Sequence, residues 1–266
     1  MDFREAQMQN FDLERLDGER ISNRLSSVSV DVRMFSEIDS TNNEAKRMAF
    51  DGVDKPVLII AEKQSAGRGR MGRSFYSPDG TGLYMSLLLS IDGGHHNTVG
   101  ITSAAAVASV RAVRRVCGVE TGIKWVNDIY LDNKKIAGIL AESFFVGEKF
   151  FAVIGIGVNM YTTDFPSELC DRAGSIMAEK GSRWELAVAI TEELVSLIRA
   201  LPNKDFMQEY RESSIVLGKE VTFVENGQEL GGFAESISDD GALTVILESG
   251  DAHVLKSGEI SLRVKQ

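Results

Sequence analysis

Between residues 122 and 159 the sequence alternates apolar runs with very short polar turns. Apolar runs of this kind predict strands, and here they read "GIKWV", "IYL", "IAGILAESFFV" and "FFAVIGIGVNM". Only "DNKK" and "GEK" separate the last three runs. Turns this short join antiparallel strands, whereas parallel neighbours need a long crossover connection. The stretch therefore predicts a largely antiparallel sheet, and no other feature of the chain limits the fold as strongly.

Helical patterns and further strands surround this stretch. Two more apolar runs, "VLIIAEK" and "LYMSLLLSI", predict additional strands. "TVGITSAAAVASVRAVRRVCG" predicts a long helix that ends at Gly118, and "RWELAVAITEELVSLIRAL" and "KDFMQEYRES" predict two more helices. Thr41 and Glu44 have the spacing of a capping box, which predicts a helix that stops at Gly52. We expect an α+β fold with a mixed, largely antiparallel sheet and flanking helices.

Composition divides the chain into three parts. Residues 1–30 are polar and predict a short, partly helical lead-in, while residues 31–216 carry the patterns described above. From Leu217 onward, short β runs alternate with the turn sequences "ENG", "DDG" and "SGD". We therefore place a boundary near residue 216 and expect residues 217–266 to form a small C-terminal all-β barrel domain.

Charge and cysteine content disfavour several classes of protein. The 266 residues include 39 acidic and 29 basic side chains, and the formal charge of −10 disfavours non-specific binding to nucleic acid. No apolar run approaches the roughly 20 residues that a membrane span needs, and the first residues do not resemble a signal peptide. Cys117 and Cys170 fit neither a metal site nor a disulfide framework. We expect a cytoplasmic protein with two inert, buried thiols and no metal-binding side chains.

A basic, glycine-rich loop follows the strand "VLIIAEK". Gly67, Gly69 and Gly72 match the dinucleotide-binding pattern G-x-G-x-x-G, which requires a helix to begin at the last glycine. The residues that follow include "SFYSPDGTG", whose proline and two glycines prevent a helix of any length. A P-loop is also excluded, because no G-K-[ST] ends the loop. We therefore reject both of these motifs.

Two interpretations of this loop remain. It is either a solvated surface loop, whose arginines balance nearby acidic side chains, or a mobile lid over an anion. Arg68, Arg70 and Arg73 are interleaved with glycines, so the backbone can approach a ligand while guanidinium groups face phosphate or carboxylate oxygens. This spacing favours the lid, which we expect to become ordered when a ligand binds.

Several residues of the β-rich stretch have both a structural and a functional explanation. Lys124 lies in an apolar strand, where an unpaired ammonium group is costly to bury. Either its stem extends to the surface or it binds an anionic ligand. Gly138 indicates a close approach of neighbouring chain, which structure alone explains. Gly155 and Gly157 leave two positions without side chains in the strand before Asn159. These positions allow either a close crossing of chains in the core or contact of the backbone with a flat ligand.

Together these stretches resemble the biotin protein ligases, in the same order, over roughly residues 34–264. The motifs that carry the resemblance are "DSTN" (39–42), "QSAGRGRMGR" (64–73), "SPDGTGLYMS" (77–86), "KWVND" (124–128), "KIAGILAE" (135–142), "GIGVN" (155–159) and "SGEISLR" (257–263). Two positions depart from the family pattern: Val126 replaces the usual proline, and Phe75 stands where some members have tryptophan. Because the DNA-binding domain of the bifunctional members has no counterpart in this sequence, we expect a monofunctional ligase.

The resemblance implies a fold, a reaction and a set of site residues. The fold is the biotin protein ligase catalytic fold, which is similar to that of class II aminoacyl-tRNA synthetases. Biotin and ATP, the latter as its Mg²⁺ complex, give biotinyl-5′-AMP, which a lysine of a biotin carboxyl carrier domain then attacks. No tightly bound cofactor is implied, and a homodimer is left open. The residues implied to bind biotin or the adenylate are Ser40, Thr41, Asn42, Gln64, Gly67, Arg68, Gly69, Arg70, Lys124, Gly138, Gly155 and Asn159, with Lys124 and Arg70 as catalytic residues.

By the same resemblance, Lys124 bridges the biotin carboxyl and the α-phosphate, the arginine loop shields the adenylate, and Asn159 faces the nucleotide. Three alternatives to a biotin ligase are considered. A lipoate ligase shares the adenylate chemistry but differs in its loop motif. A transcriptional regulator that uses biotinyl-adenylate needs a DNA-binding domain, which residues 1–30 do not contain. A module that only binds biotin has no use for Lys124.

Overall fold

The computed structural model describes residues 15–91, 98–256, 258 and 260–262. Its helices are α1 (Gly18–Leu25), α2 (Thr41–Phe50), α3 (Thr98–Cys117), α4 (Arg183–Arg199) and α5 (Phe206–Glu212). A larger sheet contains β1 (Asp31–Ile38), β2 (Val57–Gln64), β3 (Gly82–Ile91), β4 (Gly122–Lys124), β5 (Asp128–Leu131), β6 (Lys134–Val146) and β7 (Lys149–Asn159). A smaller sheet contains β8 (Glu220–Glu225), β9 (Gln228–Ile237), β10 (Leu243–Leu247), β11 (Ala252–Leu255) and β12 (Ile260–Leu262). No helix within the described ranges combines the length and the apolar character needed to cross a membrane.

The larger sheet is mixed, but most of its strand pairs are antiparallel. Its order is β1-β2-β3-β7-β6-β5-β4. Strands β1 and β2 are parallel and are joined through α2, while the other neighbours run antiparallel. The prediction from the short turns is confirmed. The sequence patterns do not predict β1, because its residues are all exposed or half-buried and form no apolar run.

Both faces of the central strands are buried. One face packs against α3 and α4, and β2 contributes Leu58 and Ile60 to this larger core. The other face packs against α2, with Val57 and Ile59 from the same strand. Because every residue of this run is covered on one side or the other, the run is continuously apolar rather than alternating.

The start of α2 differs from the prediction. Ser40 is the residue before the helix, and its side chain makes no capping hydrogen bond. The backbone N–H of Thr41 instead donates to Gln64 Oε1 at 2.8 Å. A reciprocal capping box does occur in this protein, but at the start of α4. The capping box predicted at Thr41 and Glu44 is therefore wrong, because a side chain from β2 supplies the acceptor.

The two thiols differ in exposure. Cys117 is buried at the end of α3, and burial raises the pKa of its thiol to about 11. Cys170 is exposed, so the prediction of two buried thiols is wrong for this residue. It lies in the long loop after β7, where its Sγ contacts the carbonyl oxygens of Phe165 and Pro166.

The smaller sheet packs beside the segment that follows β4. Its strand order is β11-β10-β9-β8-β12, with antiparallel pairing throughout, and the prediction of a small C-terminal all-β domain is confirmed. Trp125 Nε1 donates to the Gly241 carbonyl at 2.9 Å. From the other side, the Tyr210 hydroxyl of α5 donates to the Val126 carbonyl at 3.0 Å. The segment after β4 is thus held between α5 and the small domain.

Candidate active site

Two adjoining clefts lie beneath the arginine loop, which comprises residues 66–74. The first cleft, of about 450 Å³, is lined by the start of α2, the loop and the middle of β6 and β7. The second cleft, of about 600 Å³, is lined by the loop, by Gly258 and Ile260 of the small domain, and by Lys124, Trp125, Asn127 and Asp128. The residues that line both clefts, and so mark their junction, are Gly69, Arg70, Phe75, Asn127 and Lys135.

Glycines in β7 make room for side chains on the floor of the first cleft. A Cβ atom at Gly155 would lie 2.0 Å from Asn42 Oδ1, and a Cβ atom at Gly157 would lie 2.5 Å from the Phe75 ring. Gly138, which pairs with Gly157, is less restricted, since its Cβ atom would lie 3.4 Å from that ring. The two β7 glycines are therefore required by close packing against protein side chains that themselves line the cleft.

Hydrogen bonds fix the side chains at the start of α2. Gln64 Oε1 accepts from the Thr41 backbone N–H at 2.8 Å and from the Thr41 hydroxyl at 3.1 Å, while Gln64 Nε2 donates to Ser77 Oγ at 2.9 Å. The Ser86 hydroxyl lies 2.7 Å from Thr41 Oγ1 and 2.6 Å from Asn42 Oδ1. Because these groups satisfy one another, they are held in place before any ligand binds.

Ser40 also lines the first cleft, but its hydroxyl is not part of this network. The residue is 1% exposed, and its Oγ has no hydrogen-bond partner within the part of the chain that the structure describes. A buried hydroxyl without a partner is costly, so a polar group of a ligand that reaches it is favoured. Ser40 is therefore a candidate ligand contact.

The arginine loop folds back on itself above the first cleft. The Gly69 N–H donates to the Arg73 carbonyl at 2.7 Å, and the Phe75 N–H donates to the Gly67 carbonyl at 2.9 Å. A Cβ atom at Gly67 would lie 2.4 Å from the Phe75 carbonyl oxygen, so this fold requires the glycine. The chain continues from the loop into β3 rather than into an α-helix, in agreement with the rejection of the dinucleotide motif.

Two arginines of the loop line the first cleft and bind partners across it. Arg68 Nη1 donates to Glu142 Oε2 at 3.1 Å and to Asn43 Oδ1 at 3.2 Å. Arg70 Nη1 donates to Asn127 Oδ1 at 3.0 Å. Arg68 thus balances an acidic side chain, as the surface-loop interpretation predicts, and both arginines also line the cleft. The lid interpretation stays a prediction.

Glu142 is a residue of this site that the sequence interpretation missed. Its carboxylate accepts from Lys46 at 2.8 Å, from Asn42 at 3.0 Å and from Arg68 at 3.1 Å. Burial alone would raise the pKa of Glu142, but the hydrogen bonds from Lys46 and Asn42 and the charges of Lys46 and Arg68 outweigh it and lower the pKa. The sequence contains a signal, because Glu142 is the charged residue in the run "IAGILAESFFV".

Positive charge is concentrated in the second cleft. Lys124 is half-buried at the end of β4, and its Nζ lies 3.5 Å from the Tyr130 hydroxyl and 5.2 Å from the centroid of that ring. Lys135 lies in the same cleft and pairs with Asp128 at 2.7 Å. With Arg70, these lysines make the second cleft attractive to an anion. The position of Lys124 in a cleft agrees with the anion-binding explanation, and its role stays a prediction.

The structure brings together most of the predicted site residues. Those that line the first cleft are Ser40, Thr41, Asn42, Gln64, Arg68, Gly69, Arg70, Gly138 and Gly155. Lys124 lines the second cleft, while Gly67 lies under the loop and lines neither. Asn159 is buried at the end of β7, where its Nδ2 donates to the Gly174 carbonyl at 3.1 Å, and it also lines neither cleft. Its contact with a nucleotide stays a prediction.

Comparison with known protein families places both parts of the chain. A family described as "Biotin/lipoate A/B protein ligase family" matches residues 34–159, which include the start of α2, the arginine loop and Lys124. A second family, described as "Biotin protein ligase C terminal domain", matches residues 216–263.

Individual relatives agree with these matches. A biotin--[acetyl-CoA-carboxylase] ligase from Mycobacterium tuberculosis is 32% identical over 236 residues, which cover 82% of this chain and 86% of that protein. A bifunctional ligase/repressor BirA from Bacillus spizizenii is 39% identical over 161 residues, or 59% of this chain. The match covers 50% of that protein, so this chain spans about half the length of its Bacillus relatives.

A solved structure shows the same fold. The biotin protein ligase from Aquifex aeolicus, in complex with biotin and ATP, superposes with a TM-score of 0.75 at 26% sequence identity. The superposition covers 88% of this chain and 99% of that chain. The family matches, the relatives and this structure together show that the chain belongs to the biotin protein ligases of the biotin/lipoate A/B protein ligase family.

Proposed function

We propose that this protein activates biotin with ATP to biotinyl-5′-AMP and transfers the biotinyl group to a lysine of a biotin carboxyl carrier domain. The observation that carries the proposal is the junction of the two clefts, where Arg70 and Asn127 line a polar cleft and a cationic cleft at once. The mycobacterial relative bears the name of this activity, and the Aquifex structure holds both biotin and ATP, which supports the proposal.

In the first step, a carboxylate oxygen of biotin attacks the α-phosphorus of ATP, and pyrophosphate leaves with the electron pair of the broken bond. Two unit charges of the same sign about 4 Å apart repel by about 4 kcal/mol at an effective dielectric constant of about 20. Fixed positive charges beside the reacting oxygens offset this repulsion without any rearrangement. We assign this role to Lys124 and Arg70, while Mg²⁺ enters with ATP and neutralises its phosphates.

We assign the first cleft to biotin and the second to the nucleotide. Biotin has a neutral ureido ring that exchanges hydrogen bonds with hydroxyl and amide groups. Ser40, Thr41, Asn42 and Gln64 supply such groups in the first cleft. Lys124 and its neighbours supply positive charge in the second cleft, which suits phosphate oxygens. For Asn159 on the nucleotide side, the support is the sequence resemblance alone.

In the second step, the lysine amine of the carrier domain attacks the acyl carbon of the adenylate. AMP leaves with the electron pair of the broken bond, and the amine releases a proton to solvent. Because water also attacks a mixed anhydride, the intermediate must be covered until the carrier arrives. The arginine loop is the cover that we propose, since it lies above the first cleft and contributes lining residues to both clefts.

The cellular setting follows from the same proposal. The acceptor is the carrier domain of a biotin-dependent carboxylase, and both cysteines are free thiols, which suits the cytoplasm. The formal charge of −10 supports a protein that does not bind nucleic acid non-specifically.

Pyrophosphate release that requires both biotin and ATP tests this function. We expect release with biotin, followed by transfer of the biotinyl group to a purified carrier domain. Lipoate in place of biotin serves as the control substrate. Release with lipoate and none with biotin would instead identify a lipoate ligase, and binding of biotin without any release would reduce the protein to a binding module.

A further inference from the structure

The carboxylate of Glu142 connects the arginine loop to helix α2. We infer that Glu142 is the latch that holds the loop closed over the first cleft, and that it thereby retains the adenylate. This inference rests on the proposed function for the nature of the retained ligand. Because Glu142 acts through Arg68 rather than on the reacting atoms, it is a positioning residue.

The ion pair with Glu142 is a charged link between Arg68 of the loop and the rest of the protein. Arg68 Nη1 lies 3.1 Å from Glu142 Oε2, and among the described residues no other acidic side chain pairs with Arg68. Its second partner, Asn43 Oδ1 at 3.2 Å, is neutral. Both bonds have the charged guanidinium group as donor, but only Glu142 adds the attraction of an opposite charge, so Glu142 contributes the larger part of the attachment of Arg68.

Glu142 is itself held in place by α2. Lys46 binds Oε1 at 2.8 Å, and Asn42 Nδ2 binds Oε2 at 3.0 Å, so both carboxylate oxygens have a partner from the helix. Asn42 is fixed in turn by Ser86 at 2.6 Å. The carboxylate side chain is 21% exposed, which limits screening of these contacts by solvent. The contacts with α2 therefore hold the Glu142 carboxylate in place, and the contact that breaks when the loop opens is the one with Arg68.

Removal of the Glu142 charge replaces an attraction between the loop and α2 by a repulsion. Lys46 and Arg68 both contact Glu142, and without its charge these two cations face each other as like charges. The loop's own backbone bonds, such as Gly69 N–H to the Arg73 carbonyl, do not involve Glu142. The loop therefore keeps its internal fold but spends more time away from the cleft, which is a shift between closed and open populations.

Limited trypsin digestion of the ligand-free protein tests the latch without any reference to activity. Trypsin cleaves after arginine, and the loop offers Arg68, Arg70 and Arg73. We expect Glu142→Gln to be cleaved in this loop about twofold to fivefold faster than the unaltered protein, the scale of one partly exposed ion pair. The matched control is Glu37→Gln on β1, which breaks the exposed pair with Lys63 on β2 and should leave loop cleavage unchanged. Equal cleavage of Glu142→Gln and the unaltered protein would overturn the inference.

A second variant protects the test against misfolding of the first. Arg68→Gln removes the other charge of the Arg68–Glu142 ion pair. It leaves Arg70 and Arg73 in the loop as sites for trypsin. We expect the same acceleration at those two sites, and no further acceleration in the double variant, because both changes break one contact. Additive accelerations would show that Glu142 does not act through Arg68 and would overturn the latch.

Escape of biotinyl-adenylate then measures the consequence for function. Glu142→Gln should release the adenylate about twofold to fivefold faster, with little change in the rate of its formation at saturating substrates, and Glu37→Gln should behave as the unaltered protein. Faster loop cleavage with unchanged adenylate escape would refute the claim of retention. If the unaltered protein forms no adenylate, the proposed function fails, while the trypsin comparison still decides whether the latch exists.

Discussion

Replacement of Gly155 by alanine tests the packing on the floor of the first cleft. The new Cβ atom would lie 2.0 Å from Asn42 Oδ1, which is too close for any real contact, so the amide must move. Asn42 then loses its hydrogen bonds to Ser86 at 2.6 Å, to Glu142 at 3.0 Å and to the Leu140 carbonyl at 3.2 Å. At about 1 kcal/mol for each bond, we expect the free energy of unfolding to fall by about 2–3 kcal/mol.

Urea unfolding followed by circular dichroism measures this loss in a double-mutant cycle. The four proteins are the unaltered chain, Gly155→Ala, Asn42→Ala and the double variant. In the Asn42→Ala background the alanine at position 155 meets no amide, so its further cost should be less than about 0.5 kcal/mol. Additive losses in the double variant would refute the argument that Gly155 is needed by Asn42.

Contacts elsewhere in the chain give three further predictions. Trp125→Phe should lower the free energy of unfolding by about 1 kcal/mol, measured with urea, because the Gly241 carbonyl of the small domain loses its indole N–H donor. Glu62→Gln should lower it by about 3–5 kcal/mol, because the buried guanidinium group of Arg183 loses the carboxylate that lies 2.5 Å from its Nη1. A smaller decrease of the urea midpoint than that caused by Trp125→Phe would contradict this. The hydrogen bond from Arg47 lowers the pKa of Asp39, so this carboxylate stabilises the fold at neutral pH and loses its contribution as the pH falls below about 4. Asp39→Asn should therefore show a smaller loss of stability on acidification, and an identical acid profile would contradict the assignment.

The fold could be predicted from the sequence wherever a local pattern determines a contact. The turns "DNKK" and "GEK" are too short for anything but antiparallel neighbours, and β5, β6 and β7 pair accordingly. Strand β1 lacks such a pattern, because its residues pack only partly and its partner β2 lies beyond α2. The capping spacing at Thr41 gave a wrong prediction for a related reason, since Gln64 from another strand satisfies the helix N-terminus first.

The candidate site could also be predicted only in part from the sequence. Sequence motifs identify the residues that carry functional groups, but most of the contacts between them join distant parts of the chain. Glu142 binds Lys46 and Arg68, which lie 96 and 74 positions away, and Glu62 binds Arg183 at a separation of 121 positions. Neither periodicity nor spacing reports such pairs, because both describe only neighbours along one element. The polar side chains that orient the loop were therefore visible only in the folded chain.

Formation of biotinyl-adenylate in a single turnover by Lys124→Met tests the central claim most directly. The substitution keeps an unbranched side chain of similar length but removes the ammonium group from the second cleft. The control is Lys149→Met, which removes an exposed lysine that pairs with Asp54 outside both clefts. The account predicts that Lys124→Met forms the adenylate about 10²–10³-fold more slowly while Lys149→Met is unaffected. Adenylate formation by Lys124→Met at the rate of the unaltered protein would contradict it.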